Sequence, residues 1–229
     1  MRTGVVAIVL ALLHVGATAV RAQQQAAGKG TTCGIAGFPA PELCVRAGLD
    51  TVPASYLIFV DESGSMKPIW PAVRAALADF AEALPDGDKL DVRLFAGDVR
   101  TLIPATPSSA ATRQAWRYRF ADLAMPAGAH TDLGKAADAA LGSLAASPAD
   151  RLQFVFFLTD GRHDPGPGSP FLSENACRGL RAQAGGIVGG RPVRVGIIQL
   201  SPAADPGFLT CVFGGAIVTS AVGGAALRA

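Results

Sequence analysis

The sequence has almost no surplus of charge to offer a partner. Its 20 basic and 18 acidic side chains leave a formal charge of +2. Arg2 and Arg21 fall in a leader that reads as removable, and without them the balance is 18 against 18. A neutral chain has no basic stripe with which to displace counterions, which argues against a nucleic-acid binder. Cysteine is equally sparse: Cys33, Cys44, Cys177 and Cys211 form no C-x-x-C pair. A structural zinc site or a thioredoxin-type redox centre is therefore not expected. The familiar catalytic signatures are missing too. There is no G-x-x-x-x-G-K-S/T phosphate loop, no G-x-S-x-G elbow and no H-E-x-x-H helix.

Long uninterrupted apolar runs are also scarce. Val5–Val20 is apolar apart from His14 and a few small residues, follows one positive charge at Arg2, and ends in Val20-Arg21-Ala22. This is the pattern of a secretory signal peptide over residues 1–22 rather than of a membrane span, and it implies export to the periplasm, cell surface or medium. No cysteine follows the apolar stretch, so lipid attachment is not suggested. The uncharged segment Phe208–Leu227 holds two Gly-Gly pairs, hydroxyls and much alanine; a helix, a buried strand and a short tail explain it better than a span. In an exported chain an even cysteine count reads as two disulfides. Four cysteines allow three connectivities, and the pairing expected is Cys33–Cys44 with Cys177–Cys211.

What remains divides into a leader at 23–50 and one domain at 51–229. Roughly 200 residues are enough to bury a sizeable core. Apolar runs alternate with segments of helical period. Tyr56–Val60, Leu90–Phe95, Leu152–Leu158, Val193–Leu200 and Ala216–Ala221 read as strands, with Thr101–Ala105 as a short antiparallel edge. Ile69–Leu84, a segment from Ser108/Ser109 to Leu123, Leu133 to about Leu144, and Glu174–Ala184 read as helices, Asp132 capping the third. Strands alternating with helices predict an α/β, doubly wound, mostly parallel sheet with helices on both faces.

The informative run is Tyr56-Leu57-Ile58-Phe59-Val60-Asp61-Glu62-Ser63-Gly64-Ser65-Met66. An apolar strand ends in a carboxylate followed by two hydroxyls at alternate positions. Read alone, this is also how a turn is built, with Asp61 and Ser63 capping the next helix. Two further clusters change the weighing: His130/Thr131/Asp132 opens a helix, and Thr159/Asp160 ends another strand. In a parallel sheet the carboxyl ends of strands share one edge, where ligands collect. The combined set is rich in hard oxygen, lacks thiols, and has histidine only at its margin. That suits Mg²⁺, Mn²⁺ or Ca²⁺ rather than zinc or copper. His163, in the Gly/Pro-rich Arg162–Pro170 loop, is expected to be exposed at the rim; Trp70 and Trp116 are expected to pack.

Asp61-x-Ser63-Gly64-Ser65, then Thr131-Asp132-Leu133-Gly134-Lys135-Ala136 running to Ala140, then Phe157-Leu158-Thr159-Asp160-Gly161, in this order, resembles the von Willebrand factor type A (VWA) domain over about Thr51–Ala221. The resemblance implies a metal-ion-dependent adhesion site (MIDAS) made by Asp61, Ser63, Ser65, Thr131 and Asp160. Ser63, Ser65 and Thr131 would give hydroxyls, Asp61 would bind directly or through water, and Asp160 would hold a bound water. It further implies a Mg²⁺ ion (Mn²⁺ or Ca²⁺ being alternatives) that a partner's Asp or Glu carboxylate completes, hence a non-enzymatic, exported protein-binding module with a role such as cell adhesion. Few residues follow Ala221 where the family carries a C-terminal helix, so an axial-helix switch is not expected. A rival reading is a metal-dependent phosphohydrolase of the haloacid dehalogenase-like type, which also puts an Asp after its first strand. That chemistry needs a second Asp two residues on as acid/base, and Ser63 stands there. A structural VWA domain with a vestigial site is the third reading.

Overall fold

A computed structural model of the chain describes residues 52–148, 150–173, 175–189 and 191–221. The expected signal peptide, the leader with its Cys33–Cys44 pair, and the segment after Ala221 lie outside the described residues.

In chain order the elements are β1 (Ala54–Asp61), a 3₁₀ turn (Gly64–Met66), α1 (Trp70–Ala83), β2 (Lys89–Phe95), β3 (Val99–Pro107), α2 (Ala110–Ala121), α3 (Leu133–Ala146), β4 (Leu152–Thr159), α4 (Ala176–Val188), β5 (Val193–Gln199), α5 (Gly207–Val212) and β6 (Ile217–Ser220). They build one six-stranded sheet of order β3-β2-β1-β4-β5-β6. Every neighbouring pair is parallel except β2 and β3. The doubly wound arrangement and the antiparallel edge are those the alternation of patterns predicts, although β3 runs longer than its apolar core suggested.

β1 and β4 are buried on both faces, as their continuous apolar runs require. Tyr56, Ile58, Val60, Leu90, Val92, Leu94, Phe154 and Leu158 meet α1 and α2 through Trp70, Leu77, Trp116 and Phe120. On the other face Leu57, Phe59, Val155, Phe157 and Ile197 meet α3, α4 and α5 through Leu133, Leu141, Leu180 and Leu209. Both tryptophans pack as expected, and Trp70 Nε1 donates to Ala124 O at 2.8 Å. Ser109 closes a capping box with Thr112 at the start of α2.

The late segments required one correction. Ile217 and Val218 are exposed, so β6 is a wet edge strand rather than a buried one. The short helix expected nearby is α5, tied to α4 by the Cys177–Cys211 disulfide that the sequence suggested. Among the described residues no helix is long and apolar enough to cross a membrane.

Strand order reverses between β1 and β4, so the crevice between their carboxyl ends is the place where an open α/β sheet receives ligands. Asp61 closes β1, and Asp160 directly follows β4.

Candidate metal centre

Parallel pairing of β1 with β4 sets Val60 beside Leu158, which delivers Asp61 and the Thr159-Asp160 pair to the same crevice. The chain after Asp61 turns sharply because the carboxylate receives its own loop: Ser63 N–H donates to Asp61 Oδ1 at 2.8 Å. The other oxygen is held across the sheet, where Thr159 Oγ1 donates to Asp61 Oδ2 at 2.6 Å. Both oxygens of a fully buried carboxylate are thus fixed before anything else binds. The Ser63 and Ser65 hydroxyls are 2.9 Å apart, and Ser65 Oγ donates to Asp160 Oδ1 at 2.9 Å. The first and third clusters are therefore in direct contact.

The second cluster joins them from the helix side. A methyl built on Gly161 would lie 3.4 Å from Thr131 Oγ1 and 3.8 Å from Asp61 Oδ2, so the Thr131 hydroxyl and the Asp61 carboxylate flank the same small space. The loop before Thr131 is pulled in by Gly128, which exchanges backbone bonds with Glu62 and Gly64. A side chain at Gly128 would run into Ala96, its Cβ only 2.3 Å from that of Ala96. Glycine is needed there for the close approach of two backbones.

Burial raises the Asp61 carboxyl to about 6, with the nearby Asp160 adding a smaller push and the Thr159 and Ser63 bonds working against it. Loss of water is the larger cause, and repulsion between the two acids the smaller. A cation in the crevice would supply the missing opposite charge.

Asp61, Ser63, Ser65, Thr131 and Asp160 lie around one crevice. Among the described residues no group of three or more His, Cys, Asp or Glu side chains is placed to hold a metal. A site of two carboxylates and three hydroxyls falls outside that description by its chemistry. Its oxygens fit a hard divalent ion, and its few carboxylates would leave such an ion with unspent charge. Around it, Glu62 is held at the rim by a two-pronged ion pair with Arg100, the shorter contact 2.6 Å. Met66 is buried beneath the loop. Asp132 caps α3 through Lys135 N–H at 3.0 Å, the role expected of it.

His163 departs from expectation. Its ring lies 4.0 Å from that of Phe208 and its Nε2 donates to Phe171 O at 2.9 Å, so it anchors the loop rather than standing free at the rim. Thr159 belonged to the third cluster in the sequence, but its role as the brace of Asp61 could not be read there. Ser169 gave no signal at all.

The family model described as von Willebrand factor type A domain matches residues 56–163, a stretch that contains all five residues. Among solved structures, a von Willebrand factor type A protein from Catenulispora acidiphila aligns at 17% identity and a TM-score of 0.59, covering 73% of this chain and 38% of that one. The mussel byssus proximal thread matrix protein 1, solved with a zinc-occupied MIDAS motif, aligns at 15% identity and 0.55, covering 74% and 44%. The manganese-loaded TRAP protein of Plasmodium vivax aligns at 16% identity and 0.51, covering 74% and 68%. At these identities the likeness is one of fold, and this chain spans less than half the length of the first two. No curated protein sequence matches. The six-stranded sheet with its single antiparallel pair has the Rossmann-like architecture of VWA domains.

Proposed function

We propose that this chain is an exported VWA-type binding module, not an enzyme, that captures a protein partner through a shared divalent ion. Asp61, Ser63, Ser65, Thr131 and Asp160 would hold the ion, Mg²⁺ in the first place, with Mn²⁺ or Ca²⁺ able to replace it. When bound, the ion supplies a Lewis-acidic position that an Asp or Glu carboxylate of the partner can complete. Two of the relatives of like fold carry zinc or manganese, which supports a divalent ion here without selecting one.

The observation that carries this reading is the state of Asp61. Oδ1 accepts Ser63 N–H and Oδ2 accepts Thr159 Oγ1–H, which fixes the carboxylate and leaves each oxygen a lone pair for an ion. The position two residues on, where a phosphohydrolase keeps its acid/base, is a serine whose hydroxyl faces Ser65. The arrangement supports an ion holder better than a hydrolase, whose second acid is replaced by Ser63. The protein's own groups orient the hydroxyls and keep Asp61 dry; recognition is left to the partner's acid.

Three measurements separate the readings. Millimolar Mg²⁺ or Mn²⁺ should raise the thermal midpoint of the wild-type chain and leave Asp61→Ala unmoved, since a ligand of the native state alone stabilises it. No shift in the wild type would favour the structural domain with a vestigial site. Partner capture from the source should be lost on chelation and in Ser63→Ala. Turnover of a phosphate monoester with Mg²⁺, lost in Asp61→Asn, would instead establish the hydrolase.

A further inference from the structure

We propose that Ser169 is a positioning residue that, through Asp132, holds the Thr131 hydroxyl in place for the ion; this rests on the ion-binding reading above. Ser169 makes no hydrogen bond to any of the five site residues. It sits in the loop between β4 and α4, in a run of proline and glycine that offers no regular structure, yet it is only 7% exposed. Its hydroxyl donates to Asp132 Oδ2 at 2.5 Å and accepts Phe171 N–H at 3.1 Å.

Asp132 is the neighbour of Thr131 and is fully buried. Capping α3 occupies one of its oxygens, with Lys135 N–H at 3.0 Å. The other oxygen has Ser169 as its partner, and without that bond a buried carboxylate oxygen would be left unpaired. On the main chain Thr131 is clasped by the same loop: its N–H reaches Asp164 O at 3.0 Å, and Asp164 N–H reaches Thr131 O at 2.9 Å. Asp132 N–H is tied to Ala96 O at 2.8 Å. Farther along, Phe171 covers Gly134 in the first turn of α3 so closely that a Cβ there would fall 2.3 Å from its ring. Phe171 in turn is held by His163.

The loop thus works as a strap fastened to residues 131–134 at Asp164, Ser169 and Phe171. Of these fastenings, Ser169 alone reaches the side chain whose backbone continues directly from Thr131. Two site hydroxyls, Ser63 and Ser65, come from a loop braced by Asp61; the third depends on this strap. Groups that orient a ligand commonly alter metal affinity by a factor of 10 or more when removed.

The test uses the full chain with Mn²⁺ as probe, free aqueous Mn²⁺ being read by its electron paramagnetic resonance signal. Ser169→Ala should weaken Mn²⁺ binding by about tenfold, and Ser169→Thr, which keeps the hydroxyl, should recover most of the loss. The deciding measurement is the cycle with Thr131→Ala. If Ser169 acts through Thr131, adding Ser169→Ala to Thr131→Ala changes the affinity no further. An equal loss in both backgrounds overturns the proposal by assigning Ser169 a general structural role, and so does an affinity in Ser169→Ala within about twofold of wild type, a factor too small to match such an orienting group. Amide exchange without metal gives a second reading: Thr131 N–H should exchange faster in Ser169→Ala, and unchanged protection counts against the strap. A wild-type chain that binds no Mn²⁺ removes the ion site itself, whereas retained binding in Ser169→Ala removes only the strap.

Discussion

A residue proposed to serve binding can work against stability, and Asp61 is such a residue. Its carboxylate is dry, and burial lifts it to about 6 from the ordinary 3.8. Carrying that charge without a cation costs the folded state on the order of 3 kcal/mol at neutral pH. Asp61→Asn keeps an oxygen for Ser63 N–H and removes the charge. In chelator, Asp61→Asn should unfold at an equal or higher urea midpoint than wild type at pH 7.5, while losing all stabilisation by Mn²⁺; a lower midpoint would mean that the carboxylate's own bonds outweigh its burial. Asp88, directly before β2, offers a control at the opposite strand ends from Asp61. It is buried, accepts Ala54 N–H at 2.8 Å through one oxygen, and is likewise pushed up to about 6, mainly by burial. Because the folded state holds this proton more tightly than the unfolded chain, stability from Asp88 rises as pH falls from about 6 towards 4. Above that window the cost is fully present. Asp88→Asn should therefore be more stable than wild type at pH 7.5 and lose most of that advantage by pH 4.5, as read from urea midpoints. An advantage independent of pH would refute the titration.

At the scale of elements, the fold was legible wherever a strand or helix carried its own periodicity. β1 and β4 announced themselves as unbroken apolar runs, and α1 by apolar residues that return on one face. β6 misled because its Ile217-Val218 pair has the same composition as a core strand, and only its place at the sheet's edge makes it wet. Composition reports what can be buried; topology decides what is. The five candidate residues were readable because each follows a strand or opens a helix. Ser169 was not, since it lies in an irregular loop; Thr159 was visible in its cluster, but its bracing role was not, since that depends on which strand pairs with which. Two elements yield direct tests. The Cys177–Cys211 bond closes a separation of 34 residues between α4 and α5. Replacing both cysteines by serine should cost about 2–4 kcal/mol in urea unfolding, and no change would show that the bond adds nothing to the native state's advantage. Gly134→Ala puts a Cβ into the Phe171 ring, and should destabilise by about 1–3 kcal/mol while loosening the strap. An unchanged midpoint would indicate that Phe171 moves aside freely.

For the molecule as a whole, the site is a product of long-range assembly. The bond from Thr159 to Asp61 joins residues 98 apart in sequence, and that from Ser65 to Asp160 joins residues 95 apart. Neither can exist until the central β1–β4 pairing is made, and closing so large a loop is among the slow events of folding. On the proposed function the site would therefore mark completion: a chain still emerging, or caught half-folded with its apolar strands exposed, would have nothing with which to hold an ion or a partner's acid. In stopped-flow refolding, recovery of Mn²⁺ binding should coincide with the last phase of fluorescence change and never precede it, so that on the proposed function only finished molecules would compete for a partner.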